Sequence, residues 1–161
     1  MLIIGVDAAH RSTGIAFLRA NGDSSTTTIR HKRPIAEYPL AVAEAIRLMD
    51  PTELRTASAW IEFPPPRTGH RVYQPSVPVA AGMWMQALMQ AGAVGNFVTV
   101  PSWRRFILGK ANLTPADAKA LAVSLAKNAG LEPQNHHEGE AYCIAQYGRL
   151  VLRGAIAHTE P

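Results

Sequence analysis

The chain has 161 residues, 47% of them apolar and 17% charged, with a formal net charge of +4 and a single cysteine, Cys143. That length and apolar content suit one domain, residues 1–161, around one core, and exclude a disordered chain. No apolar run reaches the ~18 residues of a membrane-spanning helix, and a lone cysteine excludes both a disulfide framework and a thiolate zinc cluster.

The opening MLIIGV carries no basic leader and meets Asp7 at once, so Leu2–Asp7 reads as a buried strand and not as a signal peptide. With the unpaired cysteine, this fits a reducing cytoplasm. STGIAFLRA (Ser12–Ala20) and DSSTTTIRH are β-rich, and the Asn21-Gly22 pair between them is a hairpin signal. The first thirty or so residues therefore predict an antiparallel meander of three strands.

AEYPLAVAEAIRLMD (Ala36–Asp50) has helical periodicity. ASAWIEF (Ala57–Phe63) is a strand halted by Pro64, Pro65 and Pro66, which cannot donate to a sheet ladder. A helix is predicted over Val77–Gln90, a strand over Asn96–Val100, and a short helix in PSWRRFIL with Pro101 near its start. Thr114 is an N-cap, Pro115 the first helical residue, Asp117 a carboxylate among free amides, and Gly130 the residue beyond the helix end. The last helix runs from near Asn135 to about Arg153, and the tail GAIAHTEP reads as frayed. Three strands followed by alternating helices and strands predict an α/β fold. The sheet is mixed and five-stranded, a meander plus two parallel strands, with helices on its faces.

Four residues stand out chemically. Asp7 closes an apolar strand, where an unpartnered carboxylate is disfavoured unless it serves a turn. Glu62 sits inside AWIEF, as a water-facing edge residue or as part of a site. In NHHEGEAYCIAQYG, Asn135 and Glu138 form a capping-box-like pair, so Glu138 reads as helix punctuation. Glu140 heads the inward stripe of Ile144, Tyr147 and Val151, and His137 lies one turn before it, with His136 a competitor for the same role. A lone histidine there is otherwise a surface or capping residue. If the first strand and the next parallel strand lie side by side, Asp7 and Glu62 meet, and the last helix adds Glu140 and His137. Such a cluster repels itself without a cation and suits Mg²⁺ or Mn²⁺. Two such ions ~4 Å apart can clamp a phosphodiester.

This pattern resembles the ribonuclease-H-like superfamily and, within it, the RuvC-type Holliday junction resolvases. IIGVDAAHRSTGIAFL is similar to the opening motif, WIEFPPP to the second acidic strand, and NHHEGEA to the closing motif. VPSWRRFILGKANLTPADAKALAV is similar to the basic segment between them. The resemblance covers about Leu2–Arg153 and implies that Asp7, Glu62, His137 and Glu140 are catalytic metal ligands for two Mg²⁺ or Mn²⁺ ions. Glu140 stands where Asp is usual, and His137 where Asp is the commoner residue, so a divergent member, host- or phage-borne, is implied, with better activity in Mn²⁺ than an all-acidic site would show. The implied substrate is branched DNA, the four-way junction foremost, gripped by a homodimer with no membrane attachment.

The pI of about 9.6 is compatible with that partner. Arg67, His70, Arg71 and Tyr73 form a loop after Glu62 able to meet phosphates and an unpaired base; otherwise they are solvated loop residues. Arg104, Arg105 and Lys110 flank the SWRRFILGK helix, and Lys119 lies on the next helix, where the resemblance implies a second basic position. GMWMQALMQAG carries apolar residues on more than one side, as core or as a dimer helix. Two other readings of the whole stay open: an actin-like nucleotide-binding relative, because GVDAAHRSTG also resembles that phosphate loop, and a junction-binding protein with weakened catalysis.

Overall fold

The computed structural model describes residues 1–9, 11–30, 38–64 and 76–158. The meander is β1 (Leu2–Ala8), β2 (Ser12–Arg19) and β3 (Ser24–Arg30). Its second turn spans Ala20 to Gly22, with Arg19 N–H donating to the Asp23 carbonyl at 2.9 Å. Gly22 takes φ +97°, a conformation that strains any residue with a Cβ, and Asn21 braces the turn by accepting from Asp23 N–H at 3.1 Å.

Helix α1 (Tyr38–Arg47) and the single turn α2 (Pro51–Leu54) lead to β4 (Ser58–Phe63). Next come α3 (Ser76–Gln90), β5 (Val94–Thr99), α4 (Val100–Ile107), α5 (Pro115–Asn128) and α6 (His136–Leu152). The strand order is β3-β2-β1-β4-β5, with β4 parallel to both β1 and β5 and the meander antiparallel, as the sequence predicts. The sequence reading missed α2, a one-turn helix too short to show periodicity, although Asp50 caps it by accepting from Thr52 N–H.

Strand parity divides the core. Leu2, Ile4, Val6, Ala59 and Ile61 face one layer with Tyr38, Val42, Trp84 and Leu88 from α1 and α3. Ile3 and Trp60 face the other layer with Trp103, Ala118, Ala122, Ile144 and Tyr147 from α4, α5 and α6. Asp7 is two residues along from Gly5, and Glu62 two along from Trp60, so both carboxylates point to the α6 side. The register Val6↔Ile61 brings them to neighbouring positions on adjacent strands. β4 is an interior strand, which removes the edge-strand reading of Glu62.

Helix α6 lies almost on the sheet backbone. A Cβ at Gly5 would overlap the Ala141 carbonyl, and one at Gly14 would overlap the His137 carbonyl. These two glycines let the helix N-terminus approach the ends of β1 and β2. Against expectation, the C-terminal tail is packed: Ile156 joins the second core layer, and the His158 ring sits edge-on to Trp60 at 4.9 Å between centroids. Its His158 ring finds cover on Trp60, a partner 98 residues away that no local pattern reveals.

Candidate metal centre

Asp7 is buried, and its Oδ2 lies 2.6 Å from His137 Nδ1. That contact raises the His137 pKa above its ordinary value, partly opposed by burial of the ring. Glu62 accepts from the Trp103 indole N–H at 2.8 Å. Burial first, then the negative charges of Asp7 and Glu140, push its carboxyl up to about 8. Glu140 is buried and pushed up to about 7 by burial and then by Asp7, with Arg104, Lys119 and His137 acting in the opposite sense. Arg104 Nη2 donates to Glu140 Oε1 at 3.3 Å.

The structure therefore brings Asp7, Glu62, His137 and Glu140 into one electrostatic neighbourhood, at the C-terminal ends of β1 and β4 beneath the N-terminus of α6. The donor set fits a divalent cation. Three carboxyl groups and an imidazole act on one another there, burial and mutual repulsion raise Glu62 and Glu140, and the Trp103 indole and Arg104 each donate to one of those two carboxyls. One atom each of His136, His137 and Glu140 lies within 4.8 Å of the others, so both histidines of the opening pair are close to this centre. Their rings stack at 4.0 Å, and His136 has its pKa lowered by burial and then by the neighbouring His137.

Glu138 is more than helix punctuation. Asn135 does cap α6, accepting from Glu138 N–H at 3.2 Å. The Glu138 side chain, however, is only 2% exposed and accepts from Thr26 at 2.9 Å, Thr28 at 2.6 Å and Gln134 N–H at 3.1 Å. It ties the start of α6 to β3 across the sheet. The alternating threonines of β3 were the only sequence signal, and they do not name a partner. Trp103 was missed as a neighbour of the site for a similar reason: an indole next to Arg104 in a short basic helix reads as core.

The basic residues divide. Arg104 turns inward to Glu140, with its Nε buried and unpartnered among the described residues. Lys119 is half-buried on α5 and close enough to influence His136, His137 and Glu140. Arg105 and Lys110 are exposed, Arg105 resting 5.8 Å from the centre of the Phe106 ring. Arg67, His70, Arg71 and Tyr73 lie outside the described residues. Among the described residues no helix is long and apolar enough to cross a membrane.

No family model matches the chain, and no curated protein matches it in sequence. Solved structures do. The structure of RuvC from Thermus thermophilus aligns with a TM-score of 0.65 at 16% identity, covering 96% of this chain and 97% of that one. T. thermophilus RuvC in complex with a Holliday junction substrate aligns with a TM-score of 0.65 at 14% identity, covering 96% of each chain. The fold is RuvC-like, of the ribonuclease-H-like type.

Proposed function

We propose that this RuvC-like chain is a metal-dependent, structure-selective endonuclease that resolves four-way junctions or related branched DNA by phosphodiester hydrolysis, in recombination and repair. The observation that carries this reading is the convergence of Asp7, Glu62, His137 and Glu140 at the ends of β1 and β4 beneath the start of α6, with His137 Nδ1 2.6 Å from Asp7 Oδ2 and the Glu62 and Glu140 carboxyls raised by burial and by the negative charge of Asp7.

These four residues would hold two Mg²⁺ or Mn²⁺ ions. When bound, such ions supply Lewis acidity to the phosphodiester and make water a stronger nucleophile near neutral pH. The protein's own groups do the rest. Trp103 keeps Glu62 aimed into the cleft. Gly5 and Gly14 allow α6 to hold His137 against Asp7. Arg104 and Lys119 bring positive charge beside the position where phosphate charge builds up. Arg105 and Lys110, with Arg67, His70, Arg71 and Tyr73 as the sequence predicts, would contact the DNA backbone and an unpaired base. No covalent enzyme intermediate is involved.

A homodimer supplies two cleavage sites for the two strands of a junction. Its interface forms on α3, where Val79 is 43% and Met89 56% exposed beside Met83. Met89→Lys is expected to shift the sedimenting species from dimer to monomer; a wild-type chain that sediments as a monomer at micromolar concentration would overturn the dimer.

The decisive experiment is a nicking assay on an immobile four-way junction with Mg²⁺ or Mn²⁺. Wild type cleaves, and Asp7→Asn is expected to lose about 100-fold or more in rate while still binding the junction. Asp7→Asn cleaving at the wild-type rate would refute the assignment. Junction binding with no cleavage by either protein would mark a binding protein, and ATP hydrolysis without DNA would mark the actin-like alternative.

A further inference from the structure

His136 carries an observation that the four-residue site does not use. It opens α6 one residue before His137 and four before Glu140, so a single helical turn presents both imidazoles to the same carboxylate. One donor atom from each of the three lies within 4.8 Å of the others. The two rings stack at 4.0 Å with their planes 37° apart. His136 is half-buried, and among the described residues it has no hydrogen-bond partner, so stacking on His137 is what holds it toward the cleft. A histidine at a helix start that served only solvation would gain by turning outward; this one is turned toward two other ligand-type groups.

We propose that His136 joins His137 and Glu140 as a third donor, and that this two-imidazole set takes a borderline transition-metal ion, Mn²⁺, Co²⁺ or Zn²⁺, in preference to Mg²⁺. This rests on the reading of the cleft as a divalent-metal centre. The chemistry is that of ligand softness: carboxylate and water suit Mg²⁺, whereas each added imidazole favours the later first-row ions. A nitrogen pair flanking a single carboxylate therefore changes which ion the cleft retains, whatever reaction follows. Asp7 and Glu62 supply the all-oxygen half of the centre.

Metal titration of the intact protein without DNA tests this, by calorimetry or by competition with a fluorescent chelator, using Mg²⁺, Mn²⁺, Co²⁺ and Zn²⁺ in turn. Wild type is expected to bind Co²⁺ and Zn²⁺ at least about 10-fold more tightly than Mg²⁺. His136→Ala should weaken Co²⁺ and Zn²⁺ binding by about 10-fold or more and leave Mg²⁺ within about 2-fold. His136→Asp keeps a donor but makes it hard, so the ratio of Co²⁺ to Mg²⁺ affinity should fall by about 10-fold. The visible absorption of bound Co²⁺ gives an independent readout, changing in both variants if His136 is a ligand. Melting in chelator checks that the variants fold: His136→Ala is expected to melt close to wild type, because His136 is half-exposed, whereas His136→Asp adds a carboxylate beside Glu140 and should melt lower but still cooperatively. Equal Co²⁺ affinity and spectrum in wild type and His136→Ala would overturn the proposal, as would wild type binding Mg²⁺ as tightly as Zn²⁺. The junction assay is separate: selective Co²⁺ binding with no cleavage in any metal would sink the nuclease reading and leave the ligand set standing.

Discussion

Glu62 shows how one neutral donor can tune a buried carboxyl group. Its indole partner, Trp103, is fully buried and donates to Oε2 at 2.8 Å. A hydrogen bond to the charged form lowers a carboxyl pKa, here working against burial and the charges of Asp7 and Glu140. Trp103→Phe keeps most of the packing and removes the N–H. In the metal-free protein Glu62 should then titrate above its present value of about 8, read by carboxyl NMR chemical shift against pH. Stability should fall by about 1–3 kcal/mol through the altered packing and the carboxyl group left without its indole donor. An unmoved Glu62 titration in the metal-free variant would show that the indole does not govern Glu62.

Among the elements, α6 depends on two absent side chains. Its first turn carries His137 and Glu140, and it sits where it does because Gly5 and Gly14 expose strand backbone to helix backbone. The added methyl of Gly14→Ala meets the His137 carbonyl, which belongs to a buried helix and cannot swing away as a flexible side-chain tip could. Either the helix start shifts or the strand bends, at about 1–3 kcal/mol. Denaturant unfolding should detect that loss. Because the displaced turn is the one bearing His137, cleavage should fall further than unfolding of a fraction of the protein can explain. Glu138 reinforces the same placement from the other side through Thr26 and Thr28, so a helix end and an edge strand are pinned together at the mouth of the cleft.

For the molecule as a whole, the cleft makes metal-free stability depend on pH. The folded-state carboxyls of Glu62 and Glu140 titrate at about 8 and about 7, against an ordinary 4.5, so between these values the folded protein holds more protons than the unfolded chain. The stability they contribute is fully present below pH 4.5 and is lost as pH rises through about 7 and about 8. His137, raised by Asp7, acts in the same direction at higher pH than its ordinary 6.5, while His136, lowered by burial, acts weakly against it. The melting temperature in chelator should therefore fall between roughly pH 5.5 and roughly pH 8.5. Adding Mn²⁺ should raise it, more at the upper end than the lower, with protons released on binding. A flat metal-free profile would show that Glu62 and Glu140 do not hold their protons more tightly in the fold than in the unfolded chain.

The order and type of nearly every element are legible in the chain, because caps, turn residues and hydrophobic period act within about four residues. Asn135, Thr114 and Gly22 all do in the structure what their local patterns predict. The sequence also singled out Asp7, Glu62, His137 and Glu140, since a carboxylate in an apolar strand or on an inward stripe is anomalous wherever its partner lies. Only the tertiary structure decided how they meet. Asp7 and His137 are 130 residues apart, and Glu62 and Trp103 are 41 apart. Strand parity, the parallel register of β1 with β4, and the bare backbone at Gly5 and Gly14 bring them together. The same long-range contacts turned Arg104 inward, made Glu138 a tether and held the tail on Trp60. They also changed the question posed by the two adjacent histidines. His137 is the one against Asp7, yet His136 stacks beside it within reach of Glu140, because a helix start lying this close to the sheet can present two neighbouring rings to one cleft.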